Sequence, residues 1–269
     1  MEHGLLTTVR QHLADGGQVW LFLDYDGTLV PMARAREEMR PDAALIELLT
    51  DLARLPAIRV VILSGRPLDS LRAMLPTSNL TLAGTYGLEI QMPGQGTIIR
   101  AEPARLRPII EQVKSAWAQL VAARSGFVLE DKGLAVALHA RFANPFDADF
   151  VLPQARLAAI HIIAPDRFRI LSGDRFLEVA PATAHKGQTV EWLLDRHISG
   201  DALLIYCGDD DKDEEAFAVV RRHKGIPIVV GQVRRATLAA NGFDSPAALR
   251  SWLQALLKVA RENHSLDNI

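Results

Sequence analysis

LFLDYDGTLV, residues 21–30, changes character in a single step: an apolar run ends, and two carboxylates, a glycine and a threonine follow. With residues 19 and 20 the run is too continuously apolar for a strand with one wet face. It reads as a strand buried on both faces, as in a parallel sheet. Ligands of open parallel sheets bind beyond the carboxyl ends of the strands. Asp24, Tyr25, Asp26, Gly27 and Thr28 therefore stand where a site is expected.

Working outward, similar runs recur at residues 59–63, 80–83, 203–207 and 226–230. Between the first two strands lies PDAALIELLTDLARL, residues 41–55, where Leu45, Leu48, Leu49 and Leu52 share one helical face and Pro41 suits a first turn. Further helices are expected from Pro67, with Leu68, Leu71 and Leu75 aligned, and from about His185, with Val190, Leu193 and Leu194 aligned. A last one starts at Ser245-Pro246, a cap followed by proline in the first helical position. Strand and helix alternate, which predicts an α/β fold on a parallel sheet. The alternation breaks between about residues 101 and 182. There the pattern is a helix (Leu106, Ile109, Val113, Trp117, Leu120), strands at 127–130 and 135–141, a helix, and strands at 167–171 and 175–179. Turns are expected at residues 130–133 and at Ser172-Gly173-Asp174. The expected organisation is a discontinuous core, residues 1–101 and 182–269, carrying an inserted α+β domain with an antiparallel sheet, residues 102–181.

Polar residues after the other strands extend the pattern: Ser64, Gly65 and Arg66 after the second, and Asp209, Asp210, Asp211 and Asp213 after the fourth. So many carboxylates at one sheet edge repel one another and raise their own pKa values unless a cation joins them. Oxygen donors with no nearby Cys or His set favour magnesium. A hard cation beside a carboxylate at a loop tip suits phosphoryl transfer, because it neutralises a phosphate that would otherwise repel the attacking anion. Asp24 is then the nucleophile, and Asp26 protonates the leaving oxygen and later deprotonates water. Gly27 permits the sharp turn between them. Ser64 and Gly65 are expected to hold phosphate oxygens, and Lys186, at the start of the helix after the insertion, is the cationic partner. Each piece alone has a plainer reading: DYDGT as a turn, residues 64–66 as a strand-to-helix connection, residues 209–214 as an acidic helix start. Their arrival at one sheet edge favours catalysis. His139 reads as a hairpin histidine, and Trp117, Trp192 and Trp252 as core.

Of 269 residues, 49% are apolar and 23% charged, enough for one large globular domain or two moderate ones. The net charge of −2 carries no basic excess of the kind that nucleic acid or an anionic membrane attracts. A single cysteine, Cys207, excludes an internal disulfide. Neither a leader pattern nor an apolar stretch of membrane length is visible, so a cytoplasmic protein acting on a small molecule is expected, with a monomer as the first expectation and an oligomer left open.

The ordered set DYDGTL, Ser64, Lys186 and GDDDKDEEAF resembles the haloacid dehalogenase superfamily. Within it LSGRPL, AGTYGLEI, LEDKGLAVALHAR, FLEVAP followed by HKG, and YCGDDDKDEEAF are similar to the trehalose-6-phosphate phosphatases over nearly the whole chain. The resemblance implies a doubly wound core, a cap that closes over the sugar, and magnesium-dependent hydrolysis of trehalose 6-phosphate through an aspartyl phosphate. It makes Asp24, Asp209 and the main-chain carbonyl of Asp26 the magnesium ligands, with Asp210 and Asp213 close by and Asp213 orienting the others. Arg66, Glu130, Lys132, Arg141 and Glu178 become substrate contacts. Three departures bear on the sugar: Tyr86 in Gly84-Thr85-Tyr86-Gly87, where histidine is usual; Ala180 where a basic residue is frequent; and Thr183 and Lys212 in place of glycine and threonine. A sucrose-phosphate or mannosylglycerate-phosphate phosphatase, or an idle sugar-phosphate-binding protein, is the competing expectation.

Overall fold

The computed structural model describes residues 2–32, 40–198, 200–232 and 235–266. Before the insertion come α1 (Glu2–Ala14), β1 (Gln18–Leu23), α2 (Ala43–Arg54), β2 (Ile58–Leu63), α3 (Leu68–Met74), β3 (Thr81–Gly84), β4 (Glu89–Gln91) and β5 (Thr97–Ile99). The insertion holds α4 (Pro103–Val121), β6 (Val128–Asp131), β7 (Val136–His139), α5 (Pro145–Ile162), β8 (Phe168–Gly173) and β9 (Phe176–Pro181). The chain then forms α6 (Lys186–His197), β10 (Ala202–Gly208), α7 (Glu214–Arg222), β11 (Ile226–Val230), β12 (Asn241–Phe243) and α8 (Pro246–Leu266). Two compact units result, Met1–Ile98 with His185–Ile269, and Ile99–Ala184. The second runs on past residue 181 because the Ala182 amide donates to the Arg167 carbonyl at 2.8 Å and that of Ala184 to Pro181 at 2.9 Å.

The larger unit is built on an eight-stranded sheet in the order β12-β11-β10-β1-β2-β3-β4-β5. β1 lies between β10 and β2 and is parallel to both, with Leu21 level with Ile205 and Val60; β4 turns antiparallel, against β3. Alternate side chains enter opposite cores, as the pleat requires. Val19, Leu21 and Leu23 join the cluster made with α1, α2, α3 and α8, while Trp20 and Phe22 join Val190, Leu193 and Phe217 of α6 and α7. Two covered faces explain why the strand reads as an unbroken apolar run. Winding proceeds from β1 through β2 to β3 on one side and through β10, β11 and β12 on the other, so the carboxyl ends of β1 and β10 flank the reversal point.

Caps set the helix starts. Asp42 accepts from the Leu45 amide at 3.1 Å, so α2 begins one residue beyond it and Pro41 precedes the cap, where a first-turn position was expected. The Ser245 hydroxyl accepts from Ala248 at 3.2 Å ahead of Pro246, as the sequence predicts.

The Ile99–Ala184 unit has a four-stranded antiparallel sheet, β6-β7-β9-β8. α4 buries Leu106, Ile110, Val113 and Trp117, so Ile110 replaces the expected Ile109; the helical face drifts because 3.6 residues make a turn. The Trp117 indole donates to the Ala155 carbonyl of α5 at 2.8 Å. At the β8–β9 hairpin Gly173 still pairs with Phe176, so Asp174 and Arg175 form the turn and Arg175 takes the positive φ of 50°. Among the described residues no helix is long and apolar enough to cross a membrane.

Candidate active site

Asp24 is the first residue beyond β1, and its amide donates to the Cys207 carbonyl of β10 at 2.9 Å, which fixes the backbone at the reversal point. Its carboxylate is buried and accepts from Lys186 Nζ at 2.8 Å. The same ammonium donates to Asp213 Oδ1 at 2.6 Å, and the Tyr206 hydroxyl donates to that oxygen at 2.7 Å. Asp213 Oδ2 accepts the amides of Asp209 and Asp210 at 3.0 and 3.1 Å. Both oxygens of Asp213 are thus engaged in shaping the loop after β10. Two glycines permit this crowding. A Cβ on Gly208 would lie 2.2 Å from Asp213 Cγ, and one on Gly27, whose φ is +81°, would lie 2.1 Å from Asp209 Oδ2.

Carboxylate oxygens of Asp24, Asp209 and Asp213 lie within 4.8 Å of one another. Burial, then repulsion from Asp213, Asp209 and Asp210, pushes Asp24 well above the ordinary aspartate range, although Lys186 pulls the other way. Burial followed by Asp213 and Asp210 raises Asp209 to about 7. Burial also opposes ionisation of Asp210, but Lys186 and Lys212 outweigh it and hold the group at about 2. Lys186, which burial alone would lower, is held well above its usual value by Asp213 and Asp24. One buried ammonium does not balance these carboxylates. The hard oxygen donors of Asp24 and Asp209 fit a divalent cation, which would relieve the repulsion. Asp210 is turned to Lys212, 2.8 Å away, and Asp213 is saturated, so neither is as available to a metal.

Ser64 is buried at the end of β2, and its hydroxyl accepts from the Arg66 amide at 3.2 Å. Arg66, expected to contact substrate, is bidentate to Asp26, with Nε and Nη2 at 2.6 and 2.5 Å from its two oxygens. Beside this loop Thr85, Tyr86 and Gly87 have φ of 49°, 58° and 86°, three successive left-handed residues. Three contacts hold them: the Tyr86 amide donates to the Ser64 carbonyl at 2.8 Å, that of Thr85 to Arg66 at 2.7 Å, and the Thr189 hydroxyl of α6 to the Tyr86 carbonyl at 2.8 Å. The Tyr86 ring lies so close over Gly65 that a Cβ there would come within 2.9 Å of it. Tyr86 therefore buttresses the backbone of the 64–66 loop.

In the Ile99–Ala184 unit Glu130, Ala137, Glu178 and Leu171 stand in one cross-strand row. Lys132 Nζ and Glu178 Oε2 form a 3.0 Å ion pair, both side chains largely buried. His139 bonds Glu130 at 2.9 Å and lies against Phe176, so this hairpin histidine is engaged with a residue expected to contact sugar. Arg141 lies past the end of β7 and is exposed. Sequence reading missed Tyr206, hidden inside an apolar strand run, and Arg235. The latter donates to the Asp210 carbonyl at 2.6 Å and bonds Glu214, bracing the acidic loop from a distant segment with no local pattern of its own.

A doubly wound sheet whose central strand ends in an aspartate held by a lysine, beside an acidic loop, defines a haloacid dehalogenase-like phosphatase. Residues 22–246 match the trehalose-phosphatase family. The chain is 32% identical over 236 residues to a probable trehalose-phosphate phosphatase of Sinorhizobium fredii, covering 88% of this chain and 86% of that one. It belongs to the trehalose-phosphatase family. The fold is shared with the C-terminal domain of Candida albicans trehalose-6-phosphate phosphatase, at a TM-score of 0.81 and 21% identity over 94% of this chain and 96% of that one. It is also shared with the C-terminal domain of the Candida albicans trehalose synthase regulatory protein, at 0.75 and 14% over 91% and 97%.

Proposed function

We propose that the protein hydrolyses trehalose 6-phosphate to trehalose and phosphate with magnesium bound by Asp24, Asp209 and the main-chain carbonyl of Asp26. The observation that carries this reading is the buried Asp24–Lys186–Asp213 chain in a member of the trehalose-phosphatase family. Magnesium supplies the positive charge that lets an anionic nucleophile approach a phosphate dianion. An oxygen of Asp24 attacks phosphorus, the bond to the sugar oxygen breaks, and the leaving oxygen takes its electron pair and a proton from Asp26. Asp26 then removes a proton from water, whose oxygen attacks phosphorus and releases phosphate and the Asp24 carboxylate. To reach the leaving oxygen, Asp26 must turn from Arg66. Ser64 and Lys186 bind phosphate oxygens, with the Gly65 backbone alongside. Glu130, Lys132, Arg141 and Glu178 recognise the sugar, whose hydroxyls both accept and donate.

A regulatory protein has the same fold, so residues rather than architecture support catalysis here. Phosphate release from a panel of trehalose 6-phosphate, sucrose phosphate and mannosylglycerate phosphate, with and without magnesium, tests the reading. Preferred turnover of trehalose 6-phosphate is expected. Efficient release from another member with none from trehalose 6-phosphate would overturn the substrate, and silence on every member would overturn the catalysis.

A further inference from the structure

Helix α5 is apolar on two faces. Ala148, Val151, Ala155 and Ala159 are buried in their own unit. Phe146, Phe150, Pro153, Leu157 and Ile160 follow at intervals of four, three, four and three residues, one straight line along the helix, and all five are exposed, Phe146 to 82%. Scattered exposed apolar residues are ordinary, but a line the length of a helix marks a surface that binds something. One flank of the line carries Asp149 and Arg156, both exposed, two turns apart and on either side of Pro153. Among the described residues neither forms an ion pair.

The geometry points to a second copy of this chain as the occupant, with α5 packed antiparallel against α5 about a twofold axis near Pro153. In an antiparallel twofold pair each flank meets the same flank of the partner helix running the other way. Asp149 of each copy then meets Arg156 of the other, and the Phe146 end of one line packs against the Ile160 end of the other. Parallel pairing would turn this flank toward the opposite one and lose both matches. A lipid surface fits less well: the basic group beside the phenylalanines, Arg124 over the Phe150 ring, is paired with Asp147 at 3.6 Å, and Asp149 on the flank would be repelled by an anionic bilayer. The line is about 22 Å long at 1.5 Å per residue. A single helix pair of that length falls below about 1,200 Å², the range of weak, reversible complexes. The dimer is therefore set by concentration.

Sedimentation velocity on the full chain from about 1 to 200 μM should show the mass rising toward twice the monomer value. Phe150→Glu should abolish the rise, and Arg156→Asp, which sets an acid against Asp149 in both cross-copy pairs, should weaken it about tenfold or more. Asp149→Arg combined with Arg156→Asp should restore it, since the exchange regenerates both cross-copy pairs. These side chains are exposed and outside the catalytic set, so circular dichroism and the phosphatase activity of dilute protein should stay unchanged. A chain that is monomeric throughout overturns the proposal, as does a dimer indifferent to Phe150→Glu or not rescued by the double exchange. So does Phe150-dependent binding of the monomer to phosphatidylcholine–phosphatidylserine vesicles, which would assign the face to lipid.

Discussion

Both oxygens of Asp213 are already bonded, to Lys186, Tyr206 and two amides, which leaves Asp24 and Asp209 as the carboxylates best able to meet a cation. Asp24 is also the only one of the three beyond the central strand, which supports the nucleophile's role proposed for it. Asp24→Asn should abolish phosphate release while substrate binding stays measurable by calorimetry; retained turnover would take that role away. Arg66 makes a second residue-level case. Because its guanidinium grips Asp26 through two bonds, Arg66→Ala should lower kcat about tenfold or more by loosening the proposed acid/base group, with KM little changed. A rise in KM alone would return Arg66 to the substrate contact first expected of it. Asp24, Asp26, Ser64 and Asp209 were legible because polar residues stand directly after apolar runs. Tyr206 was not, because a hydroxyl within LLIYC looks like core until Asp213 is folded over it.

At the scale of elements, Thr85-Tyr86-Gly87 joins the loop after β2 to helix α6, and so ties Ser64 to the helix that carries Lys186. Left-handed backbone is tolerated by glycine and strains other residues by about 1–3 kcal/mol. In Gly87→Ala the new Cβ would also lie 2.1 Å from the Thr189 hydroxyl. A loss of about 2 kcal/mol or more is expected, read as a fall in Tm of several degrees, and an unchanged Tm would show that the segment is free to relax. The five longer strands of the central sheet, β1, β2, β3, β10 and β11, were readable to within a residue or two, since burial on both faces leaves an unbroken apolar run. The start of α2, the hairpin at Asp174-Arg175 and the short β4, β5 and β12 were not, because they depend on caps, turn dihedrals and edge pairing. Periodicity records which face is buried and little else.

Over the whole molecule, the buried carboxylates make stability depend on pH and metal together. An unfolded aspartate titrates near 4, whereas Asp209 does so at about 7 in the fold and Asp24 is raised as well. Between those values the folded state holds protons that the unfolded chain releases, so stability falls as pH rises through the window. Asp210, held at about 2, contributes stability that is lost only below the ordinary aspartate value and does not compete there. Chelator-treated protein should therefore lose Tm from about pH 5 to about pH 8, and millimolar magnesium should raise Tm more at the higher pH. A metal increment independent of pH would exclude Asp24 and Asp209 as its ligands. The placing of β1 has a consequence for how the chain is made. One neighbour, β2, follows at once, but the other, β10, is joined only after about 180 further residues, including the whole inserted unit. At roughly 5–20 residues per second the nascent sheet waits about 10–40 s with its middle strand exposed as an edge. During that interval the chain is open to mispairing and to chaperones, and the inserted unit has time to collapse before its host can close.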